Sequence, residues 1–437
     1  MPPLATRARL DVMQERDDDA IADATRALAL GGPVRDRADA YLSRARAWEG
    51  RHDDARQLAD LAAGEALAPG RADFAMQRGI HEREQGQLVQ AKASLTHALA
   101  LDPRCAICLS ERALVQAHLG DREAALADAR QAVDVAPDMA LAHESYGDIL
   151  MLLHDYSGAL AEQDAAVRLA PGLARPRINR GEAHEALGDH AAAIAEYTDV
   201  LAHFPSSQDG IALVDRGMAR SGVSDLVGAI ADFRAACAAL PGIADPWFKL
   251  GYALQRHDDF GAAADAYAQG LTLRPDDVFE FELGKARLLS GRFAEAVEPL
   301  RAGLRRPGSP SAYAPLWVYL SRIRARAGDD GDARAELARL ASPHDPPAWT
   351  DALADFMLGR IDAGILQRRA DEGPADKRVG RRCEADYYVA EIALAGDRRA
   401  DALPLLARAV RGCPGDYFEA AAARAESRLQ GVADRDD

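Results

Sequence analysis

Residues 244–277 read ADPWFKLGYALQRHDDFGAAADAYAQGLTLRPDD, and we interpret this stretch as a pair of helices. The small residues Gly251 and Ala263 let the two helices approach closely, while larger residues fill the remaining space. Pro275 ends the second helix, because proline lacks the backbone N–H that a helix interior needs. One such pair cannot bury its apolar face alone, so the stretch predicts that similar pairs stack against it.

The pattern of this stretch recurs along most of the chain with a period of 34 residues. When each copy is numbered from 1 to 34, position 8 is glycine or alanine, position 20 is alanine and position 32 is usually proline. Glycines such as Gly120, Gly188 and Gly291 fall in the turn between the two helices. The copies lie at residues 1–34, 35–71 (irregular), 72–105, 106–139, 140–173, 174–207, 210–243, 244–277, 277–309 and 314–343 (degenerate).

This pattern resembles the tetratricopeptide repeat, in which W-x2-L-G-x2-Y is followed by A-x3-F and by proline. The matching residues within 244–277 are Trp247, Leu250, Gly251, Leu254, Ala263, Tyr267 and Pro275. The resemblance implies an all-α fold, a right-handed superhelical solenoid of about ten helix-pair repeats over residues 1–343, with further helices after it.

The period lapses after residue 343, and the C-terminal part is predicted to be built differently. Residues 344–382 are expected to form a helical connector outside the repeat, with one or two helices followed by a polar linker. Residues 383–430 are expected to form one more helix pair and a capping helix, since the end of a solenoid needs a polar surface for solubility. We expect the tail, residues 431–437, to be disordered.

Three C-terminal segments, YAPLWVYLSRIRARAG, FMLGRI and CEADYYVAEIALAGD, resemble the C-terminal half of the NlpI-type bacterial lipoproteins, which also contain tetratricopeptide repeats. This resemblance covers roughly the last 125 residues. It implies a periplasmic, membrane-anchored adaptor that brings proteases and peptidoglycan enzymes to their targets and is not itself an enzyme. The chain as given has no secretion signal or lipid-anchor motif, which by itself predicts a cytoplasmic location, whereas the resemblance predicts a periplasmic one.

Position 7 of the repeat is arginine in six copies, and an acidic residue stands sixteen positions later in most of them. Copies with leucine at position 7 lack that acidic residue. Since a guanidinium suits a bidentate carboxylate partner, we predict a ladder of ion pairs between first and second helices, within or between repeats. The alternative is a set of solvated surface charges. The pairs singled out are Arg112 with Asp128, Arg180 with Glu196, and Arg216 with Asp232.

Resemblance to tetratricopeptide repeat proteins places positions 2, 5, 9 and 12 of the first helix on the concave face of the solenoid. In this chain those positions are more apolar than exposure to solvent would favour, which predicts a groove for a peptide or a partner helix. The alternative is that closure of the superhelix or the C-terminal helices bury them. The predicted groove residues are Leu114, Asp148, Met151, Glu182, Met218, Phe248, Tyr252 and Phe281.

The five cysteines support further predictions. Cys383 starts the first helix of the last pair and Cys413 ends the second, so the two lie side by side and could form a disulfide, which would imply an oxidising compartment. The alternative is two reduced thiols. Cys105 and Cys108 form a lone C-x-x-C at a repeat junction, where we expect incidental packing rather than a zinc or redox site. Cys237 is expected in the core.

His-Glu pairs occur at three places, and HEALGDH (184–190) has a second histidine nearby. A zinc-protease motif needs that histidine four residues on, whereas six residues place it roughly 240° around a helix. We therefore predict packing histidines and no metal site. The sequence contains no nucleophile elbow and no phosphate-binding glycine loop, so we expect no catalytic residues, no cofactor and no enzymatic activity.

The net charge of -16 argues against nucleic acid as a partner, and no apolar run is long enough for direct membrane insertion. The predicted function is a non-catalytic scaffold or adaptor that binds a protein or peptide partner in the concave groove. A self-assembling structural solenoid is the alternative, and an enzyme is the third hypothesis. Each hypothesis predicts a different observation: a bound partner, a mass that depends on concentration, or a pocket with convergent titratable groups.

Overall fold

The computed structural model describes residues 3–204, 209–305, 312–325, 330–341, 348–372, 374–415 and 417–432. These residues contain 25 α-helices and no β-strand, which confirms the predicted all-α solenoid of helix pairs. The chain divides into two compact units, Met1–Pro205 and Ser206–Asp437. Most of the predicted tail, residues 433–437, lies outside the described residues.

The first unit consists of six helix pairs in which each helix packs against the next one along the chain. We call the first helix of each pair the A helix and the second the B helix. The pairs are α1 (Leu4–Met13) and α2 (Asp17–Leu30), α3 (Val34–Gly50) and α4 (Asp54–Leu67), α5 (Ala72–Glu84) and α6 (Leu88–Leu101), α7 (Ala106–His118) and α8 (Arg122–Val135), α9 (Ala140–Leu152) and α10 (Tyr156–Leu169), and α11 (Arg175–Ala186) and α12 (His190–His203).

The second unit begins with four more pairs and ends with five C-terminal helices. The pairs are α13 (Asp209–Gly222) and α14 (Leu226–Ala239), α15 (Ala244–Arg256) and α16 (Phe260–Leu273), α17 (Asp277–Leu289) and α18 (Phe293–Arg305), and α19 (Ala314–Arg324) and α20 (Asp330–Leu340). The remaining helices are α21 (Trp349–Met357), α22 (Ala363–Glu372), α23 (Arg378–Ala395), α24 (Arg399–Gly412) and α25 (Phe418–Leu429). None of the described helices is both long and apolar enough to span a membrane.

The small residue at position 8 of each A helix sets the spacing of the pair. In the repeat 244–277, a Cβ atom added to Gly251 would stand 2.6 Å from ring atoms of Tyr267, at position 24 of the B helix. Gly181 meets Tyr197 in the same way, and both tyrosine side chains are fully buried. The glycine of one helix therefore makes room for the large residue of the other, and the close packing of the pair depends on both.

An aspartate at position 16 is the N-cap residue of most of the B helices. In α10, for example, the Asp155 carboxylate accepts a hydrogen bond of 3.0 Å from the Gly158 amide, which the helix itself leaves without a partner. The preceding turn residue has a positive φ, as in His154 at 63° and Gly188 at 79°. The turn and the cap together reverse the chain within three residues, so the B helix lies antiparallel to its A helix.

The start of α23 differs from the sequence-based prediction of a polar linker before residue 383. The helix begins at Arg378, five residues earlier than the predicted pair. Gly380 is buried within it and lies directly against the Tyr417 side chain, which follows α24. That contact stabilises an N-terminal turn whose own sequence, RVGRR, has no apolar periodicity that would indicate a helix.

Candidate functional site

A recess on the A-helix side of the second unit brings together residues from three repeats. It has a volume of about 390 Å³ and is formed by α13, α14, α15 and α17. Because Tyr252 stands at its rim, we call it the Tyr252 recess. Its lining residues are Met218, Ser221, Phe233, Asp245, Phe248, Lys249, Tyr252 and Phe279.

Stacked aromatic rings form the floor of the Tyr252 recess. The Phe248 and Phe279 rings are 3.7 Å apart between centroids and nearly parallel, at an angle of 6°. The Tyr267 ring lies behind them, 6.0 Å from Phe279, and its hydroxyl donates a 3.2 Å hydrogen bond to Gln255. Phe248 is itself held against Gly270, where a larger residue would collide with its ring. The floor rings are therefore packed against one another, and Phe248 is already shielded from water before any partner arrives.

The rim of the recess combines exposed apolar side chains with one ion pair. Met218 is 38% exposed and Tyr252 is 58% exposed, and both stand beside the same aromatic floor. Lys249 Nζ lies 3.4 Å from Asp245 Oδ2, so the charges beside the recess are balanced. This arrangement suits an apolar or aromatic side chain of a partner, with polar contacts around it.

Two of the predicted groove residues lie in the core rather than on a surface. Phe248 is 1% exposed and Phe281 is 6% exposed. Each ring occupies the space left by a glycine at position 27 of its own repeat, Gly270 or Gly303. The position-5 side chain thus points between the A and B helices, which differs from the prediction of an open groove there. Phe at position 5 with Gly at position 27 is a sequence signal that could have indicated this.

The predicted groove residues of the first unit have a different character. Leu114 and Met151 are half-buried and pack against neighbouring core residues. Asp148 is half-buried and Glu182 is exposed, so this part of the A-helix side is polar and acidic. The structure therefore brings Met218, Phe248 and Tyr252 together in one recess, and it does not include the four first-unit residues in that recess.

Asp148 is the centre of a hydrogen-bond network between α9, α10 and α11. Its Oδ1 accepts a 2.8 Å bond from Asn179 Nδ2 and a 3.1 Å bond from Gln163 Nε2. Burial and the nearby Glu144 carboxylate raise the pKa of Asp148 to about 7. Arg175 lies 2.7 Å from Glu144 and opposes this effect only partly. The network holds a carboxyl group that can change charge near neutral pH.

The arginine–acid pairs singled out from the sequence are in direct contact. Arg112 binds Asp128 through two hydrogen bonds, Nε to Oδ2 at 2.7 Å and Nη2 to Oδ1 at 2.9 Å. Arg216 binds Asp232 in the same bidentate way, from Nε to Oδ2 at 3.0 Å and from Nη2 to Oδ1 at 2.7 Å. Arg180 donates one bond of 2.6 Å to Glu196. Each of these pairs joins the A and B helices of one repeat.

Arg112 and Arg180 also connect neighbouring repeats, a feature not visible from the sixteen-residue spacing. The Nη1 group of each guanidinium reaches position 25 of the preceding repeat. Arg112 Nη1 donates to Thr96 at 3.3 Å, and Arg180 Nη1 donates to Asp164 at 2.8 Å. The arginine therefore positions three helices at once, which is a structural role.

Four of the five cysteines form disulfides. Cys383 and Cys413 are bonded, with their Cα atoms 5.0 Å apart. Cys105 and Cys108 are also bonded, which differs from the expected incidental packing of two thiols. Cys105 precedes the first turn of α7 and Cys108 lies within it, so the helix start brings their Cα atoms to 5.2 Å. Cys237 is a buried free thiol whose pKa is raised to about 11 by that burial.

A second cavity, which the sequence did not indicate, lies among the C-terminal helices. It has a volume of about 470 Å³ and is walled by aromatic side chains, including Trp317 and Trp349. The buried Glu384 carboxylate accepts bonds from Tyr313 at 2.9 Å and from Trp349 at 2.8 Å. Glu419 accepts one from Tyr388 at 2.9 Å, and burial raises its pKa to about 7. The hydrogen bonds of these two carboxyl groups link α21, α23, α25 and the start of α19, so their role is structural.

The histidines of the His-Glu pairs make local contacts. His143 Nδ1 lies 2.7 Å from Glu162 Oε2, and its Nε2 lies 3.0 Å from the Pro137 carbonyl oxygen. His184 lies 3.9 Å from Asp189, and His81 is buried. Among the described residues, no three or more His, Cys, Asp or Glu side chains are arranged to hold a metal ion.

The sequence model of one protein family, described as tetratricopeptide repeat, matches this chain over residues 119–174, 178–244 and 248–313. The third matched segment contains α17 and α15 from Phe248 onward, and it includes four of the eight residues that line the Tyr252 recess: Phe248, Lys249, Tyr252 and Phe279. Repeats of this kind stack into extended surfaces that generally serve protein–protein interaction rather than catalysis.

Solved structures of other repeat proteins are similar to parts of this chain. A tetratricopeptide repeat protein from Parabacteroides merdae is 18% identical, with a TM-score of 0.44, over 56% of this chain and 97% of its own. PilF of Pseudomonas aeruginosa is 20% identical, with a TM-score of 0.42, over 48% and 94%. PilW, a type IV pilus biogenesis factor, is 23% identical, with a TM-score of 0.45, over 48% and 96%.

Proposed function

We propose that this chain, which belongs to the tetratricopeptide repeat proteins, is a non-catalytic adaptor that binds a peptide or a partner helix on its A-helix side. The Tyr252 recess is the observation that carries the proposal. It offers a packed aromatic floor and two exposed apolar side chains, Met218 and Tyr252, between polar neighbours. A partner that inserts an apolar side chain there would bury Met218 and Tyr252 without having to rearrange the floor.

The size of the recess limits what it accepts. A volume of about 390 Å³ admits one or two side chains and not a whole folded domain. All but one of its residues come from successive A helices, so a segment crossing these helices contacts several repeats in turn. Residues spaced three or four apart on a partner helix, or alternate residues of an extended peptide, match this kind of surface.

The experiment uses the full chain and a photoreactive side chain at the recess. p-Benzoylphenylalanine is incorporated at position 252, and, as a matched control, at position 227 on α14, where Val227 is 70% exposed. Both proteins are irradiated in host extract, and the cross-linked partner is identified by mass spectrometry. The proposal expects a partner peptide attached through position 252 and absent from position 227.

The purified partner is then titrated against three forms of the chain. Met218→Asp/Tyr252→Asp is expected to weaken binding about ten-fold or more, because central apolar contacts dominate interface energy. Val227→Asp is expected to bind like the unaltered chain, and circular dichroism checks that both variants fold. Equal affinities for all three would exclude the recess as the binding surface. Cross-linking to a second copy, with a mass that rises with concentration in light scattering, would favour the self-assembling alternative.

A further inference from the structure

The Cys105–Cys108 disulfide stands between α6 and α7, and its two sulfur atoms lie in different surroundings. Cys105 is the N-cap residue of α7 and is partly exposed. Cys108 lies in the first turn of that helix and is fully buried. The Cys108 amide donates a hydrogen bond of 3.1 Å to Cys105 Sγ. The Cys105 sulfur therefore accepts a backbone N–H hydrogen bond at the positive end of a helix.

We propose that this disulfide is a thiol–disulfide exchange site that accepts a dithiol protein as its partner, with Cys105 as the reactive sulfur. Cys105 is partly exposed although its sulfur also contacts Met76, whereas Cys108 is fully buried, so an incoming thiolate approaches from the Cys105 side. The N-terminus of α7 attracts the negative charge of that thiolate. The same amide bond and helix end stabilise Cys105 as a thiolate when it leaves.

The exchange balances in two steps. In the first, the partner thiolate bonds to Cys105 Sγ, the Cys105–Cys108 bond breaks, and Cys108 leaves as a thiolate that takes a proton from solvent. In the second, the partner's other thiolate attacks its own sulfur in the mixed disulfide, and Cys105 leaves as a thiolate. Two electrons pass from the dithiol to the chain, which gains two reduced cysteines, while the partner becomes a disulfide.

The second disulfide of the chain provides an internal comparison. Cys383 is 3% exposed, and its partner Cys413 is partly exposed, as Cys105 is. Cys413, however, is the C-cap residue of α24, where the helix end is negative. That end repels an incoming thiolate and destabilises a departing one. The two disulfides thus differ in which end of a helix holds the partly exposed sulfur, as well as in the sequence separation that each closes, 3 residues against 30.

The first test measures both disulfides in the folded, unaltered chain. Dithiothreitol serves as the dithiol probe, samples are quenched with an alkylating reagent, and peptide mass spectrometry follows each pair over time. We expect Cys105–Cys108 to be reduced about ten-fold faster, or more, than Cys383–Cys413. Equal rates, or faster reduction of Cys383–Cys413, would overturn the proposal. In urea, where the helices are lost, the two rates are expected to converge.

The second test identifies the reactive sulfur with two variants of the chain. Reduced Cys108→Ser and Cys105→Ser are treated with glutathione disulfide, and the adduct is located by mass spectrometry. Serine is a good N-cap residue, so Cys105→Ser is expected to fold, which circular dichroism checks. Cys105 of the first variant is expected to react about ten-fold faster than Cys108 of the second. Similar rates at both positions would show that the exposed sulfur has no special reactivity.

Discussion

Arg112 and Asp128 form a bidentate ion pair between the two helices of one repeat, with hydrogen bonds of 2.7 and 2.9 Å. Asp128 retains only 9% of its side-chain exposure and Arg112 retains 20%. Because water reaches such a pair poorly, removing one partner leaves an uncompensated charge and costs more stability than it would at an ordinary surface ion pair. The repeated arginine is therefore part of the packing between helices rather than a binding feature.

Replacing Arg112 with methionine is expected to lower the free energy of unfolding by about 2 kcal/mol, because the buried Asp128 carboxylate loses its partner. Urea unfolding measures the change. Arg398→Met is the matched control: Arg398 pairs with Asp401 at 3.6 Å, both are largely exposed, and the expected change is below about 0.5 kcal/mol. Equal losses in the two variants would contradict the structural role of the Arg112 pair.

Gly251→Ala is expected to lower the free energy of unfolding by about 1–3 kcal/mol, despite the better helix propensity of alanine. The added Cβ would stand 2.6 Å from the Tyr267 ring, which is fully buried and also held by the hydrogen bond of its hydroxyl to Gln255. Gly261→Ala is the control, since nothing lies within 4 Å of the added atom in the same repeat. It is expected to leave stability unchanged or raise it by up to about 1 kcal/mol, and thermal unfolding distinguishes the two outcomes.

Asp148→Asn is expected to stabilise the protein more at pH 8 than at pH 5. The folded-state pKa of Asp148 is about 7, raised above the ordinary value of 3.8. Between these two pH values the folded protein keeps a proton on Asp148 that the unfolded chain has already released. The contribution of Asp148 to the free energy of unfolding therefore falls as the pH rises from about 4 to about 7. Asparagine avoids the buried charge, and we expect a difference of roughly 1–3 kcal/mol between the two pH values in urea unfolding. An equal effect at both would show that Asp148 does not titrate as described.

Cys383→Ser/Cys413→Ser is expected to lower the free energy of unfolding by about 3 kcal/mol, because the bond closes a loop with a sequence separation of 30 residues. Reduction of the unaltered chain should cause a similar loss. The free energy of unfolding of the double variant should change little on reduction, since its remaining disulfide, Cys105–Cys108, joins residues only three positions apart. Calorimetry with and without reductant checks both, and a large further loss in the double variant would contradict this assignment.

Several features of the candidate site could be predicted from the sequence, and others could not. Position 9 places Met218 and Tyr252 on the A-helix side, as the repeat register indicates. The same register suggested Phe248 and Phe281 as surface residues, yet both are buried, because glycine at position 27 leaves space for their rings. The register gives the direction of a side chain around its helix, whereas burial depends on the volume of the residues opposite it.

The sequence by itself determined the helix pairs, their order and the residues that pack within each pair. These features repeat every 34 residues and depend on contacts between neighbours, so a local pattern is enough to specify them. Only the tertiary structure decided the Tyr252 recess, the links from arginine to the preceding repeat, and the bonds of Glu384 and Glu419 among the C-terminal helices. Tyr313 and Glu384, for instance, meet across 71 residues, and contacts at such a distance follow from how the helices stack, which no single repeat encodes.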